Sequence, residues 1–453
     1  MTLSARIIDR TRPPHTPDLP VFKLPAVFET SLPNGLEVVL VEDRRFPLVS
    51  ARLGFQAGSK YDLQDLAGLS ESAGALLTEG TASRTARQIA EEVASLGGTL
   101  RADSSPDALI IAGSALSENL VKLLELIWEV ARHATFPEDE VALRQQNRTQ
   151  ELLAQRSQAA FLAGEKFAQV VFGSHPYSRQ DPTLESIDRL NRAALKEFRD
   201  RYLVPNNAVL VLLGALPSRA QVLDLIGARF GDWERKDAPP PPPARFPVPR
   251  RSLVLVNRPG SVQADIRIGK LAVTRRDPDY FPLLIGSTIL GGGASSRLFM
   301  NIREQQGYAY DAHCSVHPLK DSGAFSVGTQ VRNEVLEVAL DAVLAEMKDI
   351  ARQNVSAEEL ANAKNYLSGA FVIRLETQDG LASQLAAVKL MGLPIEYLEK
   401  YTSRVRSVEP GKIRAAAGRY MTPKDAALIV VGDAPKIGPQ LQKFGKIAVE
   451  EAR

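Results

Sequence analysis

The sequence predicts an α+β protein built from two homologous αβ domains, and three observations carry that prediction. The first is an internal repeat. RYLVPNNAVLVLLGALP, Arg201 to Pro217, returns as RYMTPKDAALIVVGDAP, Arg419 to Pro435, offset by 218 residues with seven of 17 positions identical. In each copy a proline after Arg-Tyr ends a helix, and an apolar strand with a glycine turn follows. The second is the alternation of helix-period and strand-period segments along the chain. The third is RKDAPPPPPARFPVPRR, Arg235 to Arg251, which lies between the copies. Such a polyproline run is a stiff spacer suited to joining two similar domains, and an SH3-type ligand is the weaker reading of it.

Taken in order, 1–24 is a proline-punctuated arm that cannot form regular helix and is expected to lie extended over a surface. An N-terminal αβ domain, 25–234, opens with Leu32-Pro-Asn-Gly-Leu, whose Asn-Gly turn leads into Glu37-Val-Val-Leu-Val. Leu48 to Phe55 reads as a neighbouring strand. Leu66, Leu69, Ala73, Leu76 and Leu77 recur at helical spacing, Ala86 to Leu96 gives another helix, and Ala108 to Ile111 returns to strand. Glu118 to Val130 and Glu138 to Phe172 are helical, and the second stretch has its counterpart beginning near Glu358. The linker, 235–251, and a C-terminal αβ domain, 252–453, complete the division.

Composition removes several function classes. The 453 residues are 44% hydrophobic, enough to bury sizeable cores, and 55 basic against 53 acidic residues leave a formal net charge of +2 with no basic block. Electrostatics therefore give no lead toward nucleic acid or a membrane surface. No apolar run is long enough to span a bilayer, and Met1 to Phe22 has no apolar core of signal-peptide length. The compartment stays unknown, cytoplasmic by default with the periplasm open. A single cysteine, Cys314, excludes an internal disulfide framework and any multi-cysteine metal site. Cys314 has no histidine-aspartate constellation assignable from sequence and reads as a small buried hydrophobe.

One stretch looks chosen for more than packing: GGGASSRLFMNIREQQGYAY, Gly291 to Tyr310. Ser295 or Ser296 can cap a helix whose apolar face is Leu298, Phe299 and Ile302, and Gly307 stops it. The bland reading is a capped helix with one surface ion pair. No Gly-Lys-Ser/Thr follows the glycines, and the spaced glycines of a dinucleotide fingerprint are missing, so nucleotide binding is not predicted. His313 and His317 form a close histidine pair, but on a strand four residues separate the rings by roughly 13 Å, too far to chelate one metal. His15 lies in the arm, His133 near a helix end and His175 in a loop before proline, where structural roles are the default.

With the repeat in hand, the chain resembles the pitrilysin and insulinase family of zinc peptidases, in the branch of two-domain subunits that pair, as in mitochondrial processing peptidase. The resemblance runs from about Leu32 onward. It is carried by AGSKYDLQDLAGLSESAGALLTEGT (Ala57 to Thr81), GGTLRADSS (Gly97 to Ser105), GSHPYSR (Gly173 to Arg179) and the glycine-led stretch above. It implies mainly antiparallel sheets covered by helices, with the two domains forming half of a clamshell. In active members a helix matching Gly68 to Ala75 carries His-x-x-Glu-His, and a further glutamate ligand follows. Here Glu71 stands at the first histidine, Gly74 at the catalytic glutamate and Ala75 at the second histidine, and only Glu151 matches. Zinc needs three good ligands and its water needs a base, so the resemblance implies no zinc in this chain. Glu71 and Glu151 are then solvated or paired with arginines.

The resemblance also implies that Arg297 and Tyr310 match an arginine and a tyrosine that assist substrate binding from the second domain. A guanidinium and a phenol are suitable donors to a peptide carbonyl that gains charge during attack. The implied function is a non-catalytic substrate-binding subunit of a heterodimeric zinc metallopeptidase. Its partners are an active subunit holding the zinc and a peptide substrate, with no nucleic acid and no membrane span. The alternative is a structural scaffold, as in the core proteins of a respiratory complex, which resemble the same family. An independent enzyme ranks third, because the sequence offers no triad, phosphate loop or metal cluster.

Overall fold

Strand sequences that are apolar at every position mark the centre of each sheet. The computed structural model describes residues 22–248 and 250–452; the expected arm lies outside them except for Phe22 to Leu24, whose Phe22 and Leu24 pack on the core. The strands are β1 (Val27–Ser31), β2 (Glu37–Glu42), β3 (Leu48–Phe55), β4 (Thr99–Ser104), β5 (Leu109–Leu116) and β6 (Ala208–Gly214), then β7 (Ser252–Asn257), β8 (Gln263–Ala272), β9 (Ala309–Pro318), β10 (Gly323–Arg332), β11 (Ala427–Gly432) and β12 (Ile447–Glu451). They form two six-stranded sheets, in the orders β1-β2-β6-β3-β5-β4 and β12-β7-β11-β8-β10-β9. The repeated segments supply β6 and β11. Both are wholly buried, both run parallel to the next strand outward, and both pair antiparallel with the next strand inward. Each domain is thus a mixed sheet with helices, as the duplication requires.

The helices of the first half are α1 (Leu69–Leu76), α2 (Ala86–Ser95), α3 (Leu120–His133), α4 (Glu138–Arg156), α5 (Ala159–Phe172), α6 (Leu184–Asp188), α7 (Arg192–Tyr202) and α8 (Arg219–Phe230). Those of the second are α9 (Tyr280–Gly291), α10 (Leu336–Arg352), α11 (Ala357–Glu376), α12 (Gln378–Leu390), α13 (Glu396–Arg406), α14 (Pro410–Tyr420) and α15 (Ala434–Leu441). The helix expected over Glu138 to Phe172 is two helices. Gln158 takes φ −100° and ψ 125°, an extended conformation that breaks the run, and α5 leaves in a new direction.

That direction matters, because α5 does not pack on its own sheet. Phe167, Val171 and Phe172 share a core with Val254, Val256, Ile429 and Val431 of the second sheet. Reciprocally, Leu381, Leu385 and Val388 of α12 join Val39, Val41, Val209 and Val211 of the first. Each half lends a helix to the other. Glycines at equivalent positions make room: a β-carbon on Gly54 would lie 2.7 Å from a Leu390 methyl, and one on Gly269 would lie 2.9 Å from the Phe167 ring. Gly54 is paired with Val209 and Gly269 with Ala427, positions matched by the repeat. Polar contacts add to the junction. Lys60, 3% exposed, sits 2.9 Å from both Asp107 and Asp321, and the Tyr177 hydroxyl donates to Asp107 at 2.5 Å. Overpacking of this kind costs about 1–3 kcal/mol, so Gly54→Ala should lower stability by that amount in urea melts. Added to Leu390→Ala it should cost less than the sum of the two single changes; strict additivity would show that the two side chains do not meet.

Candidate functional site

The first half of the site is built around α1. Its first turn is closed by Asp62, which accepts from the backbone N–H of Gly68 and of Ser70, each at 3.0 Å, and from the Ser70 hydroxyl. Gly68, at φ +89°, allows the sharp entry. Burial pushes the Asp62 carboxyl up to about 7, against these hydrogen bonds. Helix α4 lies alongside and presents Arg144, Arg148 and Glu151, which fall on one face at helical spacing. Arg144 Nη2 donates to Glu71 Oε1 at 2.7 Å, and Arg148 Nε stands 3.3 Å from the same oxygen. Arg148 also reaches Asp181 at 3.4 Å and Glu151 at 3.8 Å. Burial raises the Asp181 carboxyl, and Arg148 opposes the shift.

Glu71 is therefore paired with arginines, one of the two readings the sequence allowed, while Glu151, 52% exposed, only borders Arg148 at 3.8 Å. Gly74 is buried and faces β4, while Ala75 is exposed; neither offers a donor atom. The donor set does not fit a zinc ion. It amounts to two carboxylates already engaged by guanidinium groups, whose charge would repel a cation placed between them. Among the described residues no three His, Cys, Asp or Glu side chains gather in a metal-holding arrangement. Arg144 and Arg148 are the residues that sequence reasoning missed. Their signal was the spacing that aligns them with Glu151.

The second half lies at the end of α9. A β-carbon on Gly291 would sit 2.3 Å from the Cys314 backbone nitrogen, so this glycine lets α9 approach β9. The segment after the glycines is a π-helix, Phe299–Gln305, rather than the expected capped α-helix. The Ser296 hydroxyl has no partner among the described residues and caps nothing. Leu298 and Ile302 are fully buried, as the apolar face requires. Gly307, at φ +62°, ends the turn.

Arg297 and Tyr310 have opposite surroundings. Arg297 Nε and Nη2 donate to the two Glu359 oxygens at 2.7 and 3.1 Å, and Nη1 donates to Asp349 at 2.9 Å. The side chain is 17% exposed. Its hydrogen bond holds the Glu359 carboxyl at about 2. A peptide carbonyl would have to compete with two carboxylates for this guanidinium. Tyr310, on edge strand β9, is 83% exposed, with the Arg303 guanidinium over its ring, 4.8 Å from the centroid. No hydrogen bond joins Arg297 to Tyr310 among the described residues. Glu359 looked like a helix cap in sequence, and it does accept from the Ser356 backbone N–H, but its long-range pair was not legible.

The other candidates are placed as structural residues. His313 and His317 both lie on β9, hydrogen-bonded to Asp311 and Ser315 respectively. His175 stacks on Phe246 at 4.1 Å. Cys314 is buried, its thiol donates to the Ser287 carbonyl, and burial raises its pKa. No helix among the described residues is long and apolar enough to cross a membrane.

Comparison with known proteins agrees with this architecture. Residues 37–179 match the insulinase family, peptidase family M16, and residues 189–367 match the peptidase M16 inactive domain. An uncharacterized zinc protease of Mycobacterium leprae is 24% identical over 407 residues, covering 89% of this chain and 91% of that protein. The crystal structure of a peptidase M16 inactive domain from Pseudomonas fluorescens superposes with a TM-score of 0.84 at 26% identity, covering 90% of this chain and 98% of that one. A protease from Helicobacter pylori shows the same fold, with a TM-score of 0.84 at 20% identity over 90% of this chain and 100% of its own. With its two sheet-and-helix domains forming half of a clamshell, the chain belongs to the insulinase- and pitrilysin-like M16 family, the M16 inactive domain being matched over residues 189–367.

Proposed function

We propose that this chain is a non-catalytic, substrate-binding subunit of a heterodimeric zinc metallopeptidase, of the branch that includes mitochondrial processing peptidase, and that it completes the chamber of an active partner. One observation supports this most: Arg144 and Arg148 take the carboxylates at the metal positions, while Tyr310 stays exposed on an edge strand. The zinc and the attacking water belong to the partner. Tyr310 is the donor free to meet a peptide, and Arg297 supports it by pinning the preceding loop to α10 and α11. A scaffold role is the second reading. It draws support from the same Arg297 clamp, because a guanidinium used for structure needs no substrate.

The test has two arms. The chain alone is expected to bind no stoichiometric zinc and to cleave no casein; one tightly held zinc with chelator-sensitive turnover overturns the proposal. In complex with the active partner recovered by co-purification, Tyr310→Phe should lower peptide cleavage about 10-fold to 100-fold at equal complex formation. Unchanged kinetics would favour the scaffold.

A further inference from the structure

A pocket lies in the helical layer of the C-terminal half, among the loop before α9, the α12–α13 turn, the end of α13 and the start of α14. Its volume is about 460 Å³, and Arg275, Arg276, Arg404 and Lys412 line it against a single carboxylate, Asp277. Arg276 is partly committed, since its Nη2 donates to the Gly392 carbonyl at 2.6 Å. Arg275, Arg404 and Lys412 make no ion pair with any described residue. Among the described residues, two further groups lack a hydrogen bond of normal geometry. Tyr397 is 3% exposed, and its hydroxyl has no hydrogen bond of normal geometry although Tyr280 lies close by; the Arg275 Nε is likewise buried without a partner. A buried hydroxyl and a buried guanidinium N–H left unpaired are costly unless something accepts from them.

The electrostatics choose the ligand. Four cations against one carboxylate favour an anion of more than one charge, and guanidinium forks match the geometry of a phosphoryl group. Phe281 and Tyr397 add an aromatic wall, their ring centroids 6.0 Å apart, and Arg404 lies over both rings. The wall suits an apolar or aromatic group carried by the anion. We propose that this pocket binds an organic phosphate monoester, with the phosphoryl group on Arg275, Arg404 and Lys412, the Tyr397 hydroxyl donating to it, and the organic part against Phe281. The site is separate from the residues assigned to peptide binding, so its fate does not depend on the partner reading.

Calorimetric titration of the full chain tests it, with phenyl phosphate, inorganic phosphate and phenol as probes. Phenyl phosphate should bind at least about tenfold more tightly than inorganic phosphate, phenol should not bind, and the affinity should fall as salt rises. Arg275→Gln and Lys412→Gln should each weaken phenyl phosphate about tenfold, and Tyr397→Phe should weaken it several-fold. Near-ultraviolet circular dichroism establishes that the variants keep the fold; Lys412→Gln, at an exposed position in the first turn of α14, is the variant least able to disturb it. Absence of phenyl phosphate binding at millimolar concentration overturns the proposal, as does an affinity unchanged in the Arg275→Gln and Lys412→Gln variants. Equal affinity for inorganic phosphate overturns the assignment to an organic ester.

Discussion

A chain carrying Glu71→His, Gly74→Glu, Ala75→His and Arg148→Gln is expected to bind one zinc ion, whereas the triple variant that keeps Arg148 is not. With Glu151 already present, the three substitutions supply the ligands and the base that the helix lacks. Arg148 decides the outcome. Its guanidinium stands 3.3 Å from Glu71 and 3.8 Å from Glu151, in the space a metal would need. At an effective dielectric of about 20, unit charges about 4 Å apart interact by about 4 kcal/mol, and a divalent ion doubles that. Even half of this repulsion removes several decades of affinity. The Gly74 position has room, since a β-carbon there meets its nearest neighbours, the Ala102 carbonyl oxygen and a Leu109 methyl, at 3.6 Å. Metal analysis after dialysis, with melting curves to establish folding, reads the result. Zinc held equally by both variants would show that the guanidinium is not at the metal position. A folded quadruple variant without zinc would show that Glu151 does not reach it.

Replacing Arg297 by leucine should destabilise the C-terminal half by about 1–3 kcal/mol near neutral pH. Breaking a buried ion pair from one side costs about 3–5 kcal/mol, and the exposure of Asp349 and Glu359, 43% and 30%, lowers that through solvent screening. The pH dependence gives the cause away. The Glu359 carboxyl, held at about 2 against an ordinary 4.5, is depressed in the folded state. Its contribution is therefore present above about 4.5 and is lost as pH falls toward 2. The gap between wild type and Arg297→Leu should be full at pH 5 and narrow steadily below it. Urea melts across that range measure it. A gap that stays constant would mean that the loss comes from packing and not from the ion pair. Tyr310→Phe, at an exposed position, should leave stability unchanged throughout, so the two residues separate by stability as well as by activity.

Much of the fold was legible because it rests on periodicity and repetition. The copies around Pro205 and Pro423 located the central strands β6 and β11, and the runs of β2 and β3 announced strands, but they are not the neighbours the sequence suggested, because β6 is inserted between them. What escaped was direction. Nothing in Ala159 to Phe172 tells that its apolar face belongs to the other half's sheet; only the glycines at 54 and 269 hint that something presses on those strands. The site divided in the same way. The missing zinc ligands could be seen at Gly74 and Ala75, because chemistry forbids them, and the arginine pairing of Glu71 was one of two readings left open. The Arg297 clamp could not be seen, because Asp349 and Glu359 lie 52 and 62 residues away and meet it only through the packing of α10 and α11.

The exchange of α5 and α12 bears on how the chain is made. As the polypeptide leaves the ribosome, α5 emerges well before the strands it covers, the last of which, β11, lies near the C-terminus. Until then Phe167, Val171 and Phe172 have no sheet to settle on, and the first sheet waits for α12 to cover Val39, Val41 and Val211. The nascent N-terminal half is therefore an incomplete body with a bare sheet face and a homeless helix, the kind of surface that chaperones hold. Neither half is expected to be recovered soluble by itself, whereas the two produced as separate fragments in one cell should complement each other.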